Sequence, residues 1–137
     1  MEKLRIDNGK KKIEVNDNGD YIEFSVGDYG FIEEFGKFAE WMQQQENNKM
    51  EPSENTVDGA MEMLRKKKEI CQEACKRIDK LFGEGTCKKV FGDISPDEYM
   101  IAEFAEAILA LMNKFGKERK QSIGNKYSSD RKGANSK

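Results

Sequence analysis

The stretch IEVNDNGDYIEFSV, residues 13–26, decides the fold class. Polar and apolar residues alternate on both sides of Asn18-Gly19. An Asn-Gly pair suits a two-residue type I′ turn because both residues tolerate positive φ. With that loop, Asp17 faces Asp20, Val15 faces Ile22 and Ile13 faces Phe24. The apolar side chains then share one face, and Glu14, Asn16, Tyr21 and Glu23 share the other. A second pair, Asn8-Gly9, predicts a preceding hairpin of Leu4–Ile6 against Lys11–Ile13, so residues 3–26 read as a small antiparallel meander. A ribbon of this size needs helices against its apolar face.

Those helices are visible downstream. Phe31, Ile32, Phe35, Phe38, Ala39 and Met42 recur at spacings of three and four, predicting a helix over 28–45 with Trp41 off the centre of the stripe. Residues 46–56 are polar, contain Pro52, and read as a linker. A second helix follows over 56–82, starting at Ser53 or Thr56, with the stripe Val57, Met61, Leu64, Cys71, Cys75, Ile78 and Phe82. Lys68 interrupts that stripe, and Gly83-Glu-Gly85 stops the helix. Val90 and Phe91 mark one helical turn within Thr86–Asp93. Ser95-Pro96-Asp97-Glu98 then starts a helix over 96–122, with Ser95 as cap, Pro96 in the first position and Glu98 closing a capping box. Its stripe is Ile101, Phe104, Ala105, Ile108, Leu111, Met112 and Phe115, and Gly124 is the terminator. Residues 125–137 are polar and rich in Gly, Ser and Lys, and read as a flexible basic tail. The expected fold is therefore α+β and mostly α. One domain over 1–124 packs an N-terminal antiparallel hairpin or meander on about three helices, ahead of a disordered basic C-terminal tail.

Composition bounds the chemistry. The 137 residues suit one domain, which buries roughly two-thirds of its unfolded surface. There is no histidine, so Ser/His, Cys/His and HExxH arrangements are excluded, as are zinc sites that use histidine. Cys71 and Cys75 lie four apart, with Cys87 twelve further on. They lack the usual zinc-knuckle spacing and a fourth ligand, and the two helical cysteines fall inside an apolar stripe where a thiol behaves as a small hydrophobe. Glu14–Gly19 places a glycine sixth, as an EF-hand does, but position twelve is Ser25 and the flanks alternate like strands. Gly83–Lys89 departs from GxxxxGK[ST] and follows a helix where a phosphate loop follows a strand. Glu33, Glu34, Glu98, Glu103 and Glu106 sit on solvated helix flanks, and spacing forces no pair of them into an apolar pocket. The expectation is a protein that is not an enzyme and uses no metal or cofactor.

Charge and soft apolar residues point instead to surfaces. The net charge of −2 conceals +6 over Lys114–Lys137, from eight basic and two acidic residues, and −8 over residues 1–113. Lys114, Lys117, Arg119, Lys120, Lys126, Arg131 and Lys132 offer phosphate contacts and Tyr127 offers stacking. The acidic body opposes a polyanion, and a solvated or protein-binding arm is the stronger reading. The charge split also suits self-association of copies. Seven methionines and eight phenylalanines offer an adaptable groove, with ordinary core filling as the alternative. The residues singled out for partner contact are Trp41, Met61, Met63, Phe91, Met100, Met112, Phe115, Lys117, Arg119 and Lys120. No apolar run has the length of a membrane span or the character of a signal peptide, so a cytosolic protein is expected.

Three segments together resemble a family. They are IEVNDNGDYIEFSV leading into FIEEFGKFAEWM, then LFGEGTCKKVFGDISPDEYM with its cysteine between two Phe-Gly pairs, and finally FAEAILALMNKFGKERKQSIGNKYSSDR. In pattern and order, over residues 13–131, they are similar to the tail assembly chaperones of long-tailed (siphovirus-type) bacteriophages and prophages of Gram-positive bacteria. The resemblance implies a non-enzymatic assembly factor in the host bacterial cytoplasm, absent from the mature virion. Its implied partners are the tape measure protein, which it coats and keeps soluble, and the tail tube protein, whose subunits it helps recruit. The competing class is a small phage- or prophage-encoded regulator that binds nucleic acid through its basic C-terminal segment.

Overall fold

The structure is a computed structural model that describes the backbone of residues 1–48 and 55–135, and side chains as far as Asn125. In order the elements are β1 (Lys10–Glu14), β2 (Tyr21–Ser25), α1 (Tyr29–Asn47), α2 (Val57–Phe82), α3 (Thr86–Phe91) and α4 (Glu98–Asn135). They form a small N-terminal antiparallel hairpin packed against a mostly α-helical bundle. By its internal contacts the chain divides into two units, Met1–Ala105 and Glu106–Lys137.

The hairpin has the expected faces but a different register. Ile13 pairs with Ile22 and Glu14 with Tyr21, and Val15 N–H donates to the Asp20 carbonyl at 3.0 Å. The loop is thus the four residues Asn16–Gly19. Asn16 explains the shift. Its side-chain oxygen accepts from the Asn18 and Asp20 N–H groups at 2.8 and 3.3 Å, and its amide donates to the Asp20 carboxylate at 2.8 Å. Of the loop residues only Gly19 has positive φ, +86°, whereas a type I′ turn needs it at Asn18 as well. The pairing differs from expectation by two residues, and an even slip leaves every side chain on its face. Ile22 and Phe24 are accordingly 3% and 4% exposed.

The first hairpin of the expected meander is not formed: among the described residues no strand precedes Lys10. Leu4 and Ile6 stay exposed, so pairing would have buried little. Asp7 and Asn8 instead accept bonds from the Gly9 and Lys10 N–H groups, turning the chain locally. The Ser25 hydroxyl then donates to the Asn8 carbonyl.

The helices start where side chains cap them. Asp28 accepts from Phe31 N–H at 3.2 Å and Thr56 from Gly59 N–H at 3.1 Å. α1 runs two residues past its expected end. Most of the expected linker, residues 49–54, lies outside the described residues. Gly83 and Gly85, with φ of +121° and +83°, turn the chain out of α2 into α3. The Asp79 carboxylate caps α3 through Cys87 N–H at 2.9 Å, and Asn16 Nδ2 donates to the Lys89 carbonyl at 3.0 Å.

α4 differs from expectation at both ends. Its cap is Asp97, whose carboxylate accepts from Met100 N–H at 2.9 Å. Ser95 and the buried Pro96 therefore precede the helix. At the other end the backbone continues through Gly124 to Asn135, over the segment expected to be a tail. Gly124 is not among the glycines with positive φ. A helical glycine costs about 1 kcal/mol, a penalty rather than a stop.

Phenylalanines make the centre of the Met1–Ala105 unit. Phe24 stacks on Phe31 with centroids 5.2 Å apart, and Phe82 meets Phe24, Phe31 and Phe104 edge-on at 6.1, 5.4 and 5.5 Å. One cluster thereby joins β2, α1, α2 and the first turns of α4. Each such pair adds about 0.5–1.5 kcal/mol beyond area burial. Ala74, Ile78 and Ile101 are fully buried beside it. In the Glu106–Lys137 unit, Ile108 is buried and Leu111, Met112 and Phe115 are half-buried.

Candidate functional site

The end of α1, the middle of α2 and the first turns of α4 enclose a groove of about 480 Å³. Its residues come from three elements whose directions are set by the phenylalanine cluster and the caps at Asp28 and Asp97. Met42 is contributed by α1, Ile70, Cys71 and Ala74 by α2, and Tyr99 and Ala102 by α4. Gln45, Glu46 and Asn48 edge it on one side. On the other, Lys67 and Glu98 form an ion pair at 3.6 Å. Tyr99 is 76% exposed beside the opening. The lining is thus apolar with a few polar groups at the edge, the composition of a site that holds an apolar side chain or a small ligand.

The thiols offer this groove little chemistry. Burial pushes the Cys71 thiol up to about 11, helped by the nearby Glu98, Cys75 and Asp97 and opposed by Lys67. Burial also raises the Cys75 thiol, against a hydrogen bond from Cys87 and with Asp79 adding to the rise. Cys87 is raised by burial, then by its hydrogen bond to Cys75, the Cys75 charge and Asp79. Its Sγ lies 3.5 Å from the Cys75 carbonyl oxygen. All three are free cysteines that remain protonated near neutrality and are weak nucleophiles. Cys75 and Cys87 line a second hollow, with Asp79 and Pro96, away from Cys71. Among the described residues no group of three or more Cys, Asp or Glu side chains could hold a metal ion.

The partner-contact residues read from the sequence lie elsewhere. Trp41 is half-buried, 6.4 Å from the Phe38 ring, and the Arg77 guanidinium sits 4.2 Å over its face. Arg77 is held in turn by Glu73 at 3.3 Å. Phe91 packs edge-on against Phe104 at 5.9 Å. Met61 is 44% exposed on α2, Met63 is half-buried, and Met100 is 38% exposed next to Tyr99. In the C-terminal unit Met112, Phe115 and Arg119 are half-buried, while Lys117 and Lys120 are exposed. The side chains of Lys126, Tyr127, Arg131 and Lys132 lie outside the described residues. None of the ten lines the groove.

Met42, Ile70 and Tyr99 are the functional candidates that sequence reasoning missed. Met42 reads as the last core residue of its stripe, and Ile70 falls beside the α2 stripe. The usable signal was convergence: the last apolar residue of α1 and the first aromatic of α4 flank two helix ends. Among the described residues no helix is long and apolar enough to cross a membrane.

Hairpin, helices and groove together define a small α+β protein with an apolar cleft at the meeting of three helices. Residues 18–137 match the family of unknown function DUF6673, and the chain belongs to that family. No curated protein and no solved structure matches it.

Proposed function

We propose that the protein is a phage or prophage tail assembly chaperone. It binds the tape measure protein, keeps it soluble, and helps recruit tail tube subunits in the host cytoplasm. The observation that carries this reading is the groove between α1, α2 and α4, whose apolar lining and Lys67–Glu98 edge suit one side-chain ridge of an amphipathic helix. Such a contact is weak singly and becomes firm when many copies engage repeated ridges along one long helix. The sequence likeness over residues 13–131 supplies the identity of that helix.

Co-expression with a tape measure protein, followed by pull-down, tests the proposal. The tape measure protein should co-purify and stay soluble, and Ala102→Trp, which fills the groove, should abolish capture while the circular dichroism spectrum is retained. A tape measure protein that stays equally soluble without this chain, with nothing co-purifying, overturns it. The exposed Lys117 and Lys120 support a second reading, a regulator that binds nucleic acid. Gel-shift binding that weakens steeply with salt and vanishes on truncation after Asn113 would favour that reading instead.

A further inference from the structure

The first half of α2 carries an apolar stripe that stays exposed among the described residues. Val57, Met61 and Leu64 are 79%, 44% and 56% exposed. Lys68, also exposed, continues the 4-3-4 spacing on the same face. That alternation is the seam of a two-helix coiled coil, in which every seam residue inserts between residues of a facing helix. The groove lies on other residues of α2, namely Lys67, Ile70, Cys71 and Ala74.

We propose that this seam pairs with itself, so that a second copy of the chain docks antiparallel along Val57–Lys68 of α2. A twofold axis between Met61 and Leu64 makes the interface isologous. Met61 of each copy then meets Leu64 of the other, and Val57 lies over the aliphatic stem of Lys68.

Charge selects this orientation. Asp58 and Arg65 each directly follow a seam residue, and neither has an ion-pair partner among the described residues. Across an antiparallel seam these flanking positions face their own kind, so Asp58 of one copy meets Arg65 of the other, twice over by symmetry. A parallel pair would oppose Lys68 to Lys68 and leave Arg65 facing Ala60. The seam spans about 17 Å. It buries far less than the ~800 Å² per partner of a stable dimer, so association is reversible and grows with concentration.

Light scattering and sedimentation equilibrium of the full chain across a dilution series provide the test. The average mass should climb from one chain towards two as concentration rises. Leu64→Glu should hold the chain at the monomer mass with an unchanged circular dichroism spectrum. Asp58→Arg and Arg65→Asp should each weaken the dimer about fivefold, and the two together should restore it. A chain that stays monomeric at every concentration overturns the proposal. So does a dimer that survives Leu64→Glu, or a double variant no tighter than the single ones. Capture of the tape measure protein can fail or succeed independently, since Ala102→Trp fills the groove and changes no seam residue, and Leu64→Glu changes no residue that lines the groove.

Discussion

The two halves of α2 share one pattern and meet opposite fates. Apolar residues at alternating spacings of three and four run from Val57 to Phe82, broken by Lys68. Beyond the break Cys71 and Ile78 are buried and Phe82 joins the phenylalanine cluster. Before it Val57, Met61 and Leu64 face outward. Periodicity therefore announces that a helix has a sticky face, and says nothing about whether the same chain covers it. What separates the halves is the supply of partners. The C-terminal half lies among β2, α1 and α3, which bring Phe24, Phe31 and Cys87, and among the described residues the N-terminal half has no such ring of aromatic neighbours.

Truncation in each half is the sharpest way to break this comparison. Ile78→Ala, at a position with no exposure, should cost about 2–5 kcal/mol in urea denaturation. A loss below about 1 kcal/mol would mean that the covered half is loosely packed. The next largest effect is alkaline. The folded chain holds the Cys71 thiol at about 11 against an ordinary value of 9.0, so the unfolded state releases its proton first. Stability should be unaffected by this group below pH 9 and fall by about 2 kcal/mol as pH rises from 9 to 11. Cys71→Ala should flatten that limb relative to the parent, measured as the denaturation midpoint at each pH. Leu64→Ala gives the smallest effect, within about 0.5 kcal/mol in dilute solution. A large loss there would show that the outward half has an intramolecular partner after all.

The sequence was most legible where local chemistry decides structure. Asp28 and Thr56 are good caps followed by apolar stripes, and both helices begin there. The alternation in residues 13–26 assigned the hairpin faces correctly even with the register misplaced, because an even slip conserves them. The misses share one cause, competition between plausible local partners. Asn16 outcompeted the Asn18-Gly19 turn by capping two backbone groups at once. Asp97 took the place of Ser95 as cap: both residue types cap well, and the helix begins at Glu98, within reach of Asp97 alone. Gly124 reads as a stop only if something else holds a left-handed φ there, and its helical neighbours impose the opposite. The groove was hidden for another reason. Met42, Ile70 and Tyr99 are far apart in sequence, and each looks locally like ordinary filling, so only the tertiary arrangement makes them neighbours.

α3 is six residues long, too short to persist by itself in water. One end is held by the Asp79 carboxylate of α2 and the other by the Asn16 amide at the hairpin tip, a bond spanning 73 residues. Opening of α2 or of the hairpin tip therefore removes one of its end contacts. The short helix works as a clasp that makes the opening of one region felt by the other. Hydrogen exchange should therefore show hairpin, α3 and the end of α2 opening as a single cooperative unit, although about sixty residues separate the strands from α3 in the chain.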